Sequence, residues 1–316
     1  MHKNKIVKAI SKFQDIKVLV IGDIILDQFL RGTARCISPE APVPIVDVED
    51  AKTMLGGAAN VLENVCNLSG RGLLCGAIGD DVTGDEVLDL INDLDSSTEA
   101  IFKMFGYSTS TKVRVIAQNQ QVVRFDREEI LPPSRELLYW VSGVIRSEKA
   151  DVVIISDYTK GLITNELMDL VNFNGCPVIL DTKSRNIDYV GKASIITSNK
   201  REIEWMVGRD LKSDLDYHIA GKLIFSHGCD SVLITKGSEG MTLLENDQPI
   251  VHIPSKVQEV YDVSGAGDTV TALMALGVGS GLSHRESAEL ANIAAGIVVG
   301  KVGTATVTKE ELIANL

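Results

Sequence analysis

The chain has 316 residues, of which 45% are hydrophobic and 23% are charged, the composition of an ordinary globular protein. Its 31 Lys and Arg residues are outnumbered by 43 Asp and Glu residues, which gives a formal net charge of −12. This acidic balance argues against nucleic acid or an anionic membrane as a partner. Enzymes and binding proteins that act on small molecules remain.

The cysteines and the N-terminus point to the cytoplasm. The five cysteines are dispersed, without a CxxC pair or the Cys/His spacing of a zinc site. Free thiols of this kind are typical of a reducing compartment. The segment Met1–Gln14 lacks the apolar core of a signal peptide, and no run of about 18 apolar residues predicts a transmembrane helix. We therefore expect a cytoplasmic protein.

In chain order, short apolar runs alternate with helical patterns. The first run is Lys17–Gly22, and similar runs follow at Asp151–Ser156, Pro177–Asp181, Ser194–Thr197 and Ser231–Thr235. Helical patterns cover Asn165–Asn172 and Arg201–Val207. This alternation predicts an α/β fold with a doubly wound, mostly parallel sheet flanked by helices. Ligands of such sheets bind beyond the carboxyl ends of the strands, where the candidates are Asp23, Asp27, Asp157, Asp181, Asn199 and Lys236.

Two segments interrupt this pattern. Gln28–Leu55 contains three of the eight prolines and predicts irregular strands, whereas Phe102–Asp126 predicts a hairpin that turns at Ala117–Gln120. We expect one domain over residues 1–316, with a small β-lid formed by segments of about 28–55 and 102–127. The Ala- and Gly-rich stretch Asp268–Val302 predicts two closely packed helices.

The sharpest motif is DVSGAGDT at Asp262–Thr269, directly before a helical pattern. Glycines at the start of a helix allow backbone N–H groups to converge on an anion, and the helix dipole adds positive potential there. Asp268 lies beside this anion hole, where a carboxylate can take the proton from an attacking hydroxyl. The alternative is a glycine turn that merely caps the helix. A Walker A loop is absent from the sequence.

Weaker motifs lie elsewhere in the chain. Gly56-Gly-Ala-Ala-Asn60 precedes a helical pattern and allows close approach of a ligand to the backbone. Asp23 and Asp27 follow the first strand and can accept hydrogen bonds from vicinal hydroxyls, although either can simply terminate the strand. Asn199 and Glu202 suit a magnesium site near phosphates and equally suit a helix capping box. Thr235–Gly240 forms a glycine-containing loop after a strand.

GGAAN, NxxE, TKGSEG and DVSGAGD occur here in the order seen in the ribokinase, or PfkB, family of carbohydrate kinases, which the chain resembles from about Lys17 to Leu312. Within that family, four further segments resemble the D-glycero-D-manno-heptose-7-phosphate kinases, the kinase part of bifunctional enzymes of ADP-heptose synthesis. They are Arg35–Pro44, Asn119–Asp126, Ser156–Gly161 and Val299–Thr306. The resemblance implies a ribokinase-like fold and ATP-dependent phosphorylation of the sugar at O1, for lipopolysaccharide synthesis.

The resemblance also implies roles for individual residues. Asp268 would be the general base, with Gly265, Ala266 and Gly267 as the anion hole. The sugar hydroxyls would contact Asp23, Asp27, Gly56, Gly57 and Asn60. ATP would lie against Asn199, Thr235, Lys236, Gly237, Gly240 and Asn292, with Asn199 and Glu202 near Mg²⁺. Family members pair their lids, so a homodimer is expected; the need for a monovalent cation stays open.

A sugar phosphate brings a second dianion, which requires Lys or Arg. The candidates are Lys112, Arg114, Arg124, Lys160 and Lys183, with Asp157 as a further hydroxyl-binding residue. Three features depart from the relatives. Asp181–Ser184 reads DTKS in place of DPKG, Asp93–Phe105 looks shorter, and no HxGH motif of a nucleotidyltransferase domain occurs. We therefore expect a separate protein to add the nucleotide.

Three alternatives remain. Another kinase of this family would act on ribose, fructose, a nucleoside or a different sugar phosphate. A dinucleotide-binding oxidoreductase is disfavoured because no GxGxxG follows the first strand. A non-catalytic sugar sensor is disfavoured by the intact GAGD sequence.

Overall fold

The computed structural model describes residues 3–118, 120–130, 134–171, 175–188, 190–256, 263–301 and 305–316. Its strands are β1 Lys17–Gly22, β2 Ile24–Ile37, β3 Pro44–Gly57, β4 Arg71–Gly79, β5 Ile101–Met104, β6 Ser110–Ala117, β7 Gln120–Arg127, β8 Val152–Asp157, β9 Val178–Thr182, β10 Ile195–Asn199, β11 Ser231–Thr235, β12 Met241–Glu245 and β13 Val251–Ile253. Its helices are α1 Lys3–Ile10, α2 Ala58–Asn67, α3 Val82–Asn92, α4 Arg135–Ser147, α5 Asn165–Val171, α6 Lys200–Val207, α7 Asp214–Ser226, α8 Ala266–Gly279, α9 His284–Val298 and α10 Lys309–Ala314.

Nine of the described strands form the main sheet, in the order β13-β12-β11-β10-β9-β8-β1-β4-β5. Seven neighbouring strands of this sheet pair in parallel: β11, β10, β9, β8, β1, β4 and β5. β12 and β13 continue the sheet beyond β11 as antiparallel strands. The five apolar runs of the sequence analysis are β1, β8, β9, β10 and β11. Strands buried on both faces need continuous apolar sequence, so the α/β prediction is confirmed.

The core lies in two layers, one on each face of the main sheet. Val18 and Val20 of β1 pack towards α1, α2, α3, α8 and α9, whereas Leu19 and Ile21 pack towards α4, α5, α6 and α7. Each fully buried Leu or Ile contributes about 1.5–3 kcal/mol to folding. The two predicted C-terminal helices are α8 and α9. No helix in the described part of the chain is both long and apolar enough to cross a membrane.

A second, four-stranded sheet has the order β3-β2-β6-β7. β2 and β6 pair in parallel at its centre, and the predicted hairpin is present as β6 and β7. Gln28–Leu55 was expected to be irregular, but β2 and β3 are 14-residue antiparallel strands with two register shifts. Ile101–Met104 pairs with β4 in the main sheet, so the second sheet resumes only at Ser110.

The second sheet joins the main sheet where β1 ends. Asp23 is the one residue between β1 and β2, and its backbone oxygen accepts a 2.9 Å hydrogen bond from the N–H of Ala58. β3 runs directly into α2 at the same place. Residues from both sheets therefore meet beyond the carboxyl end of β1, close to the N-termini of α2 and α8.

Candidate active site

Asp268 is the centre of the site. It lies in the first turn of α8 and is 5% exposed. Its Oδ2 accepts a 2.5 Å hydrogen bond from the Asn60 amide, and its Oδ1 accepts a 2.8 Å hydrogen bond from the Tyr158 hydroxyl. Burial raises the pKa of Asp268, while the bond from Asn60 and the nearby Lys183 ammonium lower it. The carboxylate is thus fixed at both oxygens and made a better proton acceptor.

The start of α8 has the geometry expected of an anion hole. Gly265 caps the helix with φ +79°, a backbone conformation that residues other than glycine rarely adopt. The N–H groups of a helix's first turn have no partner within the helix. Ala266 donates a long 3.4 Å hydrogen bond back to Val263. Among the described residues, a Cβ at Gly267 would meet no atom within 4 Å beyond its chain neighbours and its own helix backbone. The first turn is therefore open towards a ligand.

A cavity of about 640 Å³ lies in front of this helix start. Of the residues predicted to bind nucleotide, Asn199, Thr235, Gly237, Gly240 and Asn292 line it, together with Glu202 and the turn Gly265–Asp268. Lys236 is not in the lining, because its ammonium lies 3.9 Å from Glu239 and over the Tyr217 ring. Asn292 is partly engaged elsewhere, since its amide donates to the Pro254 carbonyl at 2.9 Å.

Asn199 and Glu202 form the capping box that the sequence left as an alternative. The Asn199 side chain accepts from the Glu202 N–H at 2.9 Å, and Glu202 accepts from the Asn199 N–H at 2.8 Å. Both residues also line the cavity, where burial raises the pKa of Glu202 and raises that of the neighbouring Asp181 well above its ordinary value. The carboxylates of Glu202 and Asp181 suit a cation whose remaining ligands are phosphate oxygens.

The described residues contain no cluster of three or more His, Cys, Asp or Glu side chains able to hold a metal ion by themselves. Mg²⁺ commonly binds through one or two carboxylates together with substrate phosphates and water. Glu202 and the cavity fit that mode of binding, because Glu202 uses Oε2 in the capping box and lines the same cavity as the start of α8.

On the other side of Asp268, Asp23 organises the loop after β8. Its Oδ2 accepts hydrogen bonds from the N–H groups of Tyr158 at 2.9 Å and Lys160 at 3.0 Å. Burial raises the pKa of Asp23 to about 6, opposed by these backbone bonds. Asp23 therefore fixes the loop that carries Tyr158 and Lys160, in addition to its predicted contact with a hydroxyl.

Asp27 lies on β2 and forms a buried ion pair with Arg114 of β6, with 2.5 Å between Oδ1 and the guanidinium. Oδ2 faces Gly56, where an added Cβ would stand 2.5 Å from it. The glycine pair Gly56-Gly57 is therefore needed for the close approach of β3 to this carboxylate. The parallel register of β2 and β6 places Lys112 directly opposite Asp27.

Two of the predicted phosphate-binding lysines lie over the ring of Tyr158, and a third joins them through Glu128. The ammonium of Lys183 lies 3.3 Å from the Tyr158 ring centroid, and that of Lys112 lies 5.2 Å from it. Lys112 and Lys160 both form ion pairs with Glu128. Burial and the charges of the other lysines lower the pKa of Lys112. Lys183 also lines the cavity, so its charge faces the nucleotide side.

The side chains of two further predicted site residues, Asp157 and Arg124, form hydrogen bonds or ion pairs with nearby residues of the protein. Asp157 uses both carboxylate oxygens within the protein, accepting from the Thr159 N–H at 2.8 Å and from the Thr182 hydroxyl at 2.6 Å. These bonds position the loop after β8, and the role of Asp157 as a hydroxyl-binding residue stays a prediction. Arg124 pairs with Asp126 on the same strand and is 43% exposed, at the rim of the site.

Sequence reasoning missed Tyr158 and Glu128. Tyr158 follows β8 directly, so the rule that ligands bind beyond strand ends was a signal for it. Glu128 follows β7, and only the pairing of β6 with β7 brings it to the lysines. Asp262, the first residue of the DVSGAGDT motif, lies outside the described residues, as do Asn119 and residues 302–304 of the resembling segments.

Residues 15–311 match the model of the pfkB family carbohydrate kinases. The chain belongs to this family. The bifunctional protein HldE of Mesorhizobium japonicum is 39% identical over 315 residues, covering 96% of this chain and 63% of the relative. That of Caulobacter vibrioides is 41% identical over 304 residues, covering 94% and 62%. The chain thus spans less than two thirds of the length of these relatives.

Solved structures share the fold. Arabidopsis thaliana ribokinase complexed with ribose and ATP superposes with a TM-score of 0.77 at 20% identity, covering 95% of this chain and 98% of that one. Escherichia coli phosphofructokinase-2 in complex with potassium gives a TM-score of 0.77 at 16% identity, covering 94% and 96%. The ribokinase-like fold is therefore confirmed.

Proposed function

We propose that the chain transfers the γ-phosphoryl group of ATP to O1 of D-glycero-β-D-manno-heptose 7-phosphate, giving the 1,7-bisphosphate used in ADP-heptose and lipopolysaccharide synthesis. The observation that carries the proposal is the position of Asp268, between an open helix start and the cluster of Lys112, Lys160 and Lys183. The four segments that resemble heptose-7-phosphate kinases, and 39–41% identity to the two HldE proteins, support this sugar.

In this mechanism Asp268 takes the proton from O1 as the oxygen attacks the γ-phosphorus in line. General-base catalysis of this kind contributes about 10²–10⁴-fold to a rate. Asn60 and Tyr158 hold the carboxylate, so that the oxygen that accepts the proton has a defined position. The first-turn N–H groups of α8 stabilise negative charge on the transferring group.

Lys183 would neutralise charge on the nucleotide side, because it lines the cavity close to Asp268, Asp181 and Glu202. Glu202, with Asn199, would hold Mg²⁺ directly or through water. When bound, Mg²⁺ neutralises charge on the β- and γ-phosphate oxygens. The residues Thr235, Gly237, Gly240 and Asn292 would form the wall for the nucleoside.

The sugar would lie against the second sheet. Asp23 and Asp27 are buried carboxylates that face the same loop and strand as the lysines, and they can accept bonds from vicinal hydroxyls. Asp27 is held in its orientation by the ion pair with Arg114. The second sheet would thus serve as a lid over the acceptor sugar.

We also infer a cytoplasmic homodimer that pairs these lids. All five cysteines are free, as in reducing compartments. Large apolar side chains are exposed along β2, β3 and β7 and in the connection between β2 and β3, among them Ile37, Val43, Val48 and Phe125. Contiguous exposed apolar surface is typical of an interface. Sedimentation equilibrium should give a dimer for the wild type and a monomer for Phe125→Glu; a monomeric wild type contradicts the inference.

The proposed function is tested by measuring ATP turnover by the purified protein with Mg²⁺ on a substrate panel. The panel contains D-glycero-D-manno-heptose 7-phosphate, the same heptose without phosphate, ribose, fructose, fructose 6-phosphate and adenosine. We expect selective turnover of the heptose 7-phosphate, lost in Asp268→Asn while binding of an ATP analogue is retained. Preference for a neutral sugar or for fructose 6-phosphate overturns the heptose assignment.

A further inference from the structure

Glu128 occupies the centre of the lysine cluster. It follows β7 directly, and its two carboxylate oxygens divide between two lysines from different elements, with Oε1 3.8 Å from Lys112 and Oε2 bonded to Lys160. The Glu128 side chain is 22% exposed, and those of Lys112 and Lys160 are each 13% exposed. This is a partly buried two-to-one arrangement of cations around one anion.

The lysines of the cluster repel one another. Burial lowers the pKa of Lys112, and the charges of Lys183 and Lys160 lower it further even with Glu128 present. Two other carboxylates, Asp27 and Asp126, lie opposite Lys112 in the strand register, and each is already paired with an arginine. A dianion with several oxygens would neutralise this site more fully than one carboxylate does.

We propose that Lys112 and Lys160 form the subsite for the phosphate monoester of the acceptor sugar, and that Glu128 is a specificity-determining counter-anion which that phosphate displaces. This proposal rests on the proposed function for the position of the sugar. It adds which cations bind the second phosphate and why an acidic residue lies among them.

The geometry connects this subsite to the reacting end of the site. The backbone of Lys160 is bonded to Asp23, and Lys112 lies opposite Asp27 in the sheet register, so both lysines adjoin the proposed hydroxyl-binding carboxylates. The ring of Tyr158 separates the lysines from Asp268, to which its hydroxyl donates. The phosphate of the sugar would therefore lie at the end of the substrate remote from the base.

Glu128 gives the subsite a selective property. A neutral sugar has no group that competes with a carboxylate for two ammonium groups, so the pairs with Glu128 persist. A phosphate dianion competes for both lysines at once. The neighbouring Glu129 does not share this property, because its carboxylate accepts from the Ser108 N–H and no ion pair joins it to a lysine among the described residues.

The test measures the affinity of inorganic phosphate with the nucleotide cavity filled by a non-hydrolysable ATP analogue and Mg²⁺. Titration calorimetry compares the wild type with Glu128→Gln and with Glu129→Gln, which removes the same charge from the next residue, whose carboxylate accepts from the Ser108 N–H. Because the competing anion is lost only in the first variant, we expect Glu128→Gln to bind phosphate about tenfold more tightly. Glu129→Gln should stay within about twofold of the wild type, and Lys112→Met and Lys160→Met should lose the binding.

Unchanged or weaker binding by Glu128→Gln, with its melting temperature and circular dichroism intact, overturns displacement of Glu128. Phosphate binding that survives both lysine variants overturns the subsite. These outcomes do not depend on turnover. A protein that phosphorylates only neutral sugars yet shows the expected phosphate affinities would retain the anion site and lose the heptose function, so the two proposals fail separately.

Discussion

The two sides of Asp268 differ in the kinds of groups that line them. The cavity side, where we propose that ATP binds, is lined by glycine turns such as Gly237–Gly240, by strand ends and by the first turn of α8, and it also carries Asp181, Lys183 and Glu202. The side towards the second sheet consists of charged side chains that pair with one another, above all Asp27 with Arg114 and Glu128 with two lysines. In the proposed function, backbone groups contribute much of the binding of ATP, whereas paired side chains distinguish the acceptor.

This difference explains how distant relatives keep one architecture. Ribokinase and phosphofructokinase-2 share the fold over nearly the whole chain at only 20% and 16% identity. N–H groups at a helix start bind anions whatever the neighbouring side chains are. A cluster of side chains changes with every substitution, so acceptor specificity can diverge while the nucleotide side is maintained.

The largest effect is expected on the side-chain side, from Arg114→Met. Removing one partner of a buried ion pair leaves Asp27 charged and unpaired, which costs about 3–5 kcal/mol in stability. The displaced carboxylate should lower kcat/KM for the sugar by roughly 100-fold, with KM for ATP nearly unchanged. Steady-state kinetics with each substrate varied, together with thermal denaturation, measures both effects.

The strand pairing offers a matched control, because Arg124 lies directly opposite Arg114 and is 43% exposed. Arg124→Met should cost less than about 1 kcal/mol and change sugar kinetics only slightly. Equal effects of the two variants would remove the distinction between a buried, oriented pair and a rim pair.

On the backbone side, two glycines should respond in opposite ways. Gly240 has φ +88°, and its Cβ would lie 2.1 Å from the Ile253 carbonyl oxygen, so Gly240→Ala should lower the melting temperature and raise KM for ATP. Among the described residues, a Cβ at Gly267 would meet no atom beyond its chain neighbours and its own helix backbone, so Gly267→Ala should leave stability intact and reduce kcat roughly tenfold by crowding the phosphoryl group. Wild-type activity in Gly267→Ala would place the transferring group elsewhere.

The smallest effect at neutral pH is expected for Tyr158→Phe, which keeps the ring under Lys183 and removes the hydroxyl bonded to Asp268. That bond favours the charged carboxylate, so its loss raises the pKa of Asp268 further. The acidic limb of the profile of kcat/KM against pH should therefore move to higher pH. Lys183, Asp27 and Asp181 also face Asp268 and are unchanged in the variant.

A pH profile that coincides with that of the wild type would mean that the Tyr158 hydroxyl does not influence the base. A uniform fall in activity at all pH values would indicate a structural role alone. The wild-type profile, measured in the same buffers, is the control for both outcomes.

The sequence predicts well what is encoded locally. Continuous apolar runs identify the buried parallel strands, and the GAGD turn identifies both the start of α8 and Asp268. Asn60 was also predicted, because its motif opens α2 next to a glycine pair. In each case a few consecutive residues determine the geometry, through burial on both strand faces or through a helix start.

The contacts that the sequence does not predict join distant segments. Glu128 meets Lys160 from the loop after β8, and Tyr158 reaches Asp268, 110 positions further along the chain. The hydrogen bond from the Thr182 hydroxyl to Asp157 likewise joins two strand ends that are 25 residues apart in the chain. Strand register and loop packing determine these contacts, and a short sequence motif predicts neither of them.

The second sheet is discontinuous in the chain, and this affects folding. Its central parallel pair joins β2 to β6, while residues 58–109 between β3 and β6 supply α2, β4, α3 and β5 to the body. Contacts between residues far apart in the chain form only after the entropic cost of closing the intervening loop has been met. Folding of the main sheet and its helices meets that cost, because it brings β2 and β6 together. The surface that recognises the acceptor is thus expected to form late, and segments 24–57 and 110–127 cut out together would lack the scaffold that holds them in register.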